Sequence, residues 1–115
     1  MKLYGINQCD TVRKARRWLT EQGRDIPFHD FRKDGLDRTL LEHWLKFVDW
    51  QTLVNRKGST WRRLSEAERE AVHDSTSAVL LMLDKPSVIK RPILDMGERI
   101  LVGFDEHLYT EALKP

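Results

Sequence analysis

With 115 residues, 33% charged and 40% hydrophobic, the chain is long enough for one domain with its own core and too apolar to be disordered. Its 20 basic and 18 acidic residues leave a formal charge of +2, which argues against direct nucleic-acid binding. One cysteine excludes an intramolecular disulfide, and the longest apolar run, residues 78–83, is too short to span a bilayer. With no signal peptide and no apolar stripe left over once a core is assigned, a cytoplasmic monomer away from membranes is expected.

Residues 2–6 read as a short buried strand. A helix follows over about 10–22, with Val12, Ala15 and Leu19 at helical spacing, Trp18 beside them and Gly23 as its stop. Pro27-Phe28-His29-Asp30-Phe31 alternates as a second strand. Strand, helix and strand over about thirty residues favour a parallel pair. After a polar link at 32–35, Asp37 is a plausible N-cap for a helix whose apolar face is Leu40, Leu41, Trp44, Leu45 and Val48. The mixed stretch 49–61 is expected to be irregular. Ser65 with Glu68 forms a capping box, and another helix is expected over about 75–84, ended by Pro86.

Residues 92–103 read as a β-hairpin turning at Met96-Gly97, and Asp105 as the cap of a closing helix through Leu113. The order βαβ, helices, ββα predicts a single α/β domain over residues 1–115. It is the thioredoxin-like fold, a four-stranded mixed sheet with a helical insertion at about 36–84.

Cys9 falls where the first strand hands over to the first helix. Taken alone, a single cysteine reads as a small buried hydrophobe. Its position at a helix start reverses that reading, because unpaired backbone N–H groups and the helix dipole favour thiolate, the nucleophilic form. The adjacent carboxylate of Asp10 opposes this. Position 12 is Val, so there is no Cys-x-x-Cys pair and the resolving thiol must come from another molecule, glutathione being the obvious cytosolic supplier. Position 15 is Ala, which excludes a Cys-x5-Arg phosphatase loop.

Arg13, Lys14, Arg16 and Arg17 read as a solvated helix face, with Arg13 a candidate to reach the thiol. In thioredoxin-like folds the proline after the insertion has a cis bond and faces the active-site cysteine, so the resemblance to that fold implies that Arg91-Pro92 is cis and sets Arg91 beside Cys9. Asn7 and the backbone N–H groups of Asp10 and Thr11 would complete an anion pocket. His29, His43, His73 and His107 are too scattered for a metal site. Trp18 and Trp44 are expected in the core.

Three segments carry a family resemblance: Tyr4-Gly5-Ile6-Asn7-Gln8-Cys9-Asp10-Thr11-Val12-Arg13-Lys14-Ala15, Leu53-Val54-Asn55-Arg56-Lys57-Gly58, and Ile89-Lys90-Arg91-Pro92-Ile93-Leu94. On these the chain resembles the ArsC-like family, which includes glutaredoxin-dependent arsenate reductases, the Spx regulators and the YffB-type proteins, the last being the nearest branch. The resemblance implies the thioredoxin-like fold, Cys9 as the catalytic thiol, and Arg56 and Arg91 as two of the three arginines that hold an oxyanion in the reductases. The third should fall near Val102 or Gly103, where no arginine stands; Arg99 is the nearest in sequence.

The expected activity is a glutathione-dependent thiol reductase with no tightly bound cofactor and no metal, with glutathione as co-substrate and glutaredoxin a candidate partner. Arsenate reduction with glutathione and glutaredoxin is the first alternative. An Spx-like regulator that binds RNA polymerase or another protein is the second, weakened by the missing Cys-x-x-Cys switch.

Overall fold

Residues 2–30 form the parallel strand–helix–strand unit that their apolar spacing predicts. The computed structural model describes residues 1–114. The strands are β1 (Lys2–Gly5), β2 (Phe28–Asp30), β3 (Ile93–Asp95) and β4 (Ile100–Val102). The helices are α1 (Asp10–Glu21), α2 (Phe31–Asp34), α3 (Arg38–Leu45), α4 (Trp50–Leu53), α5 (Ser59–Arg63), α6 (Glu66–Glu70), α7 (Ser75–Asp84) and α8 (Glu106–Ala112), with a 3₁₀ turn at Pro86–Val88. They fall into two compact units, one of residues 1–33 with 91 onward, the other of residues 34–90.

In the first unit the sheet order is β2-β1-β3-β4. β1 runs parallel to β2 and antiparallel to β3, and β3 and β4 form the hairpin. This is the α/β fold with a mixed four-stranded sheet of thioredoxin-like proteins. α1 buries Val12, Ala15 and Leu19 on one face. It ends in a Schellman motif: Gly23 takes φ 73°, its N–H bonds the Thr20 carbonyl at 3.0 Å, and the Arg24 N–H bonds the Leu19 carbonyl at 2.9 Å. Leu3, Ala15, Leu19, Leu94, Tyr109 and Leu113 make one core cluster, each leucine contributing about 1.5–3 kcal/mol of burial. Trp18 is only partly buried and packs on that cluster against Phe104 and Tyr109.

The second strand is shorter than its apolar alternation suggests. Phe31 opens α2 because the Asp30 carboxylate accepts from the N–H groups of Arg32 (2.8 Å) and Lys33 (3.4 Å), which bends the chain out of the sheet. At the other edge, Gly97 at φ 85° makes the β3–β4 turn, closed by the Met96 N–H on the Arg99 carbonyl.

In the second unit, Asp37 caps α3 through the Leu40 N–H at 2.8 Å, and Ser65 and Glu68 form the expected capping box on α6. α3 packs against α7, and Trp44 is fully buried. The stretch 49–61 is not irregular throughout. Asp49 caps α4 by accepting from the Gln51 N–H, and α5 follows Gly58. Both helices are a single turn or little more, too short to display a periodicity. Among the described residues no helix is long and apolar enough to cross a membrane.

Candidate functional site

The Cys9 site lies at the end of β1, in the first unit. After Gly5 the chain leaves the sheet through Ile6, Asn7 and Gln8, and the Cys9 N–H turns back onto the Ile6 carbonyl at 3.1 Å. Cys9 then becomes the N-cap of α1, in extended conformation (φ −83°, ψ 127°), with its carbonyl accepting from the Arg13 N–H at 3.0 Å.

Gly5 makes the geometry possible. A Cβ there would stand 2.8 Å from Val12 Cγ2 and 3.4 Å from Cγ1, so the first turn of α1 rests directly on the strand backbone. Val12 itself is fully buried. The same feature explains why position 12 holds an apolar residue: it points into the core, while the thiol three residues earlier is half-buried at the helix mouth.

The Cys9 side chain makes no capping hydrogen bond of the kind an N-cap oxygen makes. Ionisation changes that, because a thiolate can accept from the Val12 and Thr11 amides, the N3 and N2 donors of the helix. Burial is the largest single influence on the thiol and raises its pKa. It is outweighed by the Val12 amide, then by the hydrogen bond and charge of the Arg91 guanidinium, then by the Thr11 amide, so the pKa lies below the ordinary value. Asp10, the group expected to oppose this, is turned to solvent with its side chain 89% exposed, where Arg13 meets it at 3.5 Å.

Arg91 reaches Cys9 because of the sheet register. Tyr4 pairs with Ile93 and Lys2 with Asp95, so the chain just before β3 lies at the same end of the sheet as Gly5. The Arg91–Pro92 bond is cis, and the Pro92 carbonyl accepts from the Gly103 N–H at 2.8 Å, fixing the end of β4 to the same place.

The other sequence-selected residues lie in separate places. Thr11 contributes its amide. Asn7, Asp10 and Arg13 form a separate surface cluster: Arg13 donates from Nε to the Asn7 carbonyl (3.2 Å) and pairs with Asp10, and the Asn7 side-chain oxygen is taken by Arg16 Nη1 at 3.1 Å. Arg56 belongs to the second unit, exposed in the turn after Val54. Arg99 stands in the β3–β4 turn, next to the Asp95–Ile100 pair and hence at the Lys2 end of the sheet, away from Cys9. The described residues include no group of three or more His, Cys, Asp or Glu placed to hold a metal ion.

One residue escaped the sequence reading. Asp30 is only 6% exposed and lies opposite Gly5 in the parallel register. Its Oδ2 accepts from the Asn7 N–H at 3.1 Å, while Oδ1 accepts from Arg32 and Lys33. Burial acts to raise the pKa of this carboxyl, but the amides of Arg32, Asn7 and Lys33 and the Lys33 charge together lower it. The available signal was a carboxylate at the end of the strand expected to pair with β1. Gln8, also unforeseen, accepts from Arg32 Nη1 at 3.1 Å, a second tie between the same segments.

Comparison with known proteins agrees with this architecture. The ArsC family profile matches residues 4–112. An uncharacterized protein of Haemophilus influenzae is 39% identical over 96% of both chains. The global transcriptional regulator Spx of Streptococcus pyogenes is 28% identical, covering 85% of this chain and 73% of Spx. Among solved structures, the YFFB (PA3664) protein superposes with a TM-score of 0.91 at 48% identity, covering 97% of both chains. An arsenate reductase (ArsC) related protein of Brucella melitensis superposes with a TM-score of 0.77 at 45% identity, covering 100% of this chain and 97% of its own.

Proposed function

Because this chain belongs to the ArsC family, we propose that it is a glutathione-dependent thiol reductase working through the single thiol of Cys9. The observation that carries this reading is the half-buried Cys9 at the N-cap of α1, with the Arg91 guanidinium and two helix amides favouring its thiolate. A lowered pKa serves both halves of a thiol-exchange cycle: it supplies thiolate for attack and makes Cys9 a good leaving group.

In the first half, the Cys9 thiolate attacks the glutathione sulfur of a mixed disulfide R–S–S–G. The Cys9–S–S–G bond forms and RS⁻ leaves. In the second half, a glutathione thiolate attacks the Cys9–S–S–G bond at the glutathione sulfur, forming GSSG and releasing the Cys9 thiolate. One glutathione from solution is oxidised in the net reaction, the glutathione of the substrate staying at the disulfide level, and R–S⁻ takes up the proton given up by that glutathione to become RSH. Arg91 stabilises the negative sulfur before attack and at release, and it can also receive a glutathione carboxylate.

The test is incubation with oxidised glutathione and intact-mass analysis at neutral pH. One glutathione adduct, absent in Cys9→Ser and removed by added glutathione, is expected. An unmodified protein, under conditions that modify a control low-pKa thiol, overturns the reading.

Arsenate reduction on the same thiol is the second reading, favoured by the 45% identity to the arsenate reductase related protein of Brucella melitensis. It requires arsenate-dependent oxidation of glutathione in the presence of glutaredoxin, lost in Cys9→Ser. Against it stands the position of Arg99, which the register of β3 and β4 holds at the far end of the sheet.

A further inference from the structure

We propose that Asp30 is the positioning residue of the Cys9 loop, its carboxylate holding the Asn7–Gln8 backbone in the conformation that presents Cys9 at the first turn of α1. The inference rests on the reading of Cys9 as the reactive thiol. Three observations carry it. Asn7 is an exposed residue, yet its N–H is directed inward onto Asp30 Oδ2 at 3.1 Å. Asp30 is itself buried and held by two further amides from the other side, so it is a fixed point and not a mobile surface acceptor. The pairing of Gly5 with Asp30 in parallel strands sets this anchor beside the place where β1 ends and the loop begins.

The chemistry of a carboxylate suits the task better than any other side chain. It presents two acceptor oxygens and no donor, and here both oxygens are used, one on each segment. An asparagine keeps the shape but turns an NH₂ group toward one of the two segments. If that segment is residues 32–33, the amides there lose their acceptor; if it is the Cys9 loop, a donor faces the Asn7 N–H. Either way one side is released, and Asp30 holds the loop by one bond where it holds residues 32–33 by two.

This produces a test in which positioning and simple charge predict opposite signs. Asp30 carries a negative charge near the thiol loop, so neutralising it with Asp30→Asn would, by Coulomb's law alone, favour the Cys9 thiolate and speed its alkylation. Loss of the loop anchor does the reverse, because the Thr11 and Val12 amides and Arg91 no longer meet the sulfur squarely. Alkylation of Cys9 by iodoacetamide at a pH below its midpoint is therefore expected to slow about two- to tenfold in Asp30→Asn, with the far-UV spectrum unchanged. An unchanged or faster rate in the folded variant overturns the proposal.

A second measurement needs no variant. In the wild-type protein, the Asn7 amide proton is expected to exchange with solvent at least tenfold more slowly than that of its exposed neighbour Gln8, as an amide held by a buried acceptor does. Equal exchange overturns the proposal even if Asp30→Asn does not fold. The two readings fail separately: a wild-type Cys9 with ordinary reactivity toward oxidised glutathione counts against the thiol-reductase function, whereas a reactive Cys9 with an unprotected Asn7 amide counts only against Asp30.

Discussion

The guanidinium of Arg91, two residues before β3, favours the thiolate of Cys9 at the N-cap of α1. It supplies both a hydrogen bond and a charge, and the two act in the same direction on the thiol. Arg91→Lys retains the charge on a flexible stem without the planar fork, whereas Arg91→Ala removes both. The thiolate is therefore expected to become progressively less favoured from wild type to Arg91→Lys to Arg91→Ala. Alkylation rate against pH measures this directly. Identical profiles for all three would show that the helix amides alone set the reactivity.

The lowered pKa of Cys9 also makes stability depend on pH. A thiol that ionises more readily in the folded state than in the unfolded chain binds fewer protons when folded, so stability rises with pH between the two midpoints. The contribution is complete above the unfolded thiol value of about 8.5 and is lost as pH falls through the folded value. Cys9→Ser has no such titration. Urea unfolding at several pH values is expected to show wild type gaining on Cys9→Ser as pH rises through this window and a constant difference well below it. A difference that stays flat, or that runs the other way, would contradict the stabilised thiolate.

How far the sequence reveals this site depends on the range of each interaction. The caps at Asp37, Asp105 and Ser65–Glu68 are legible because each side chain bonds an amide within three residues. Cys9 is legible for the same reason: the helix it begins follows immediately. α4 and α5 were missed because helices of four and five residues show no repeat. Asp30 was missed because its bond to Asn7 spans 23 residues and exists only once β1 and β2 pair. The register of β3 and β4 likewise decides the place of Arg99, and no local pattern could do so.

Gly5 and Val12 offer a test of how closely the strand must approach the helix. Val12 is fully buried and β-branched, so it has little freedom to yield to the Cβ of Gly5→Ala at 2.8 Å. Overpacking of this kind is expected to cost about 1–3 kcal/mol and to shift the first turn of α1, slowing Cys9 alkylation. Val12→Ala removes the clashing Cγ2 methyl group together with Cγ1. Combined with Gly5→Ala it should recover part of the loss, a favourable coupling of about 0.5–3 kcal/mol between the two substitutions. Additive effects in the double-mutant cycle would mean that the two residues do not share the contact.

Arg99 provides the complementary test, since it is the cation that sequence proximity favours and register disqualifies. β3 and β4 pair Asp95 with Ile100 and Ile93 with Val102, and β1 pairs Lys2 with Asp95 and Tyr4 with Ile93. Arg99 therefore stands beyond one end of the sheet and Arg91 beyond the other, separated by the strand length of about 10 Å and more. At that distance in solvent, a surface charge is largely screened at physiological ionic strength. Arg99→Ala is expected to leave both the pH profile of Cys9 alkylation and the rate of glutathione adduct formation within about twofold of wild type. Arg91→Ala, measured alongside, should change both. If Arg99→Ala impaired adduct formation as much as Arg91→Ala, the hairpin turn would have to take part in binding glutathione, and the anion site could not be confined to the Gly5 end of the sheet.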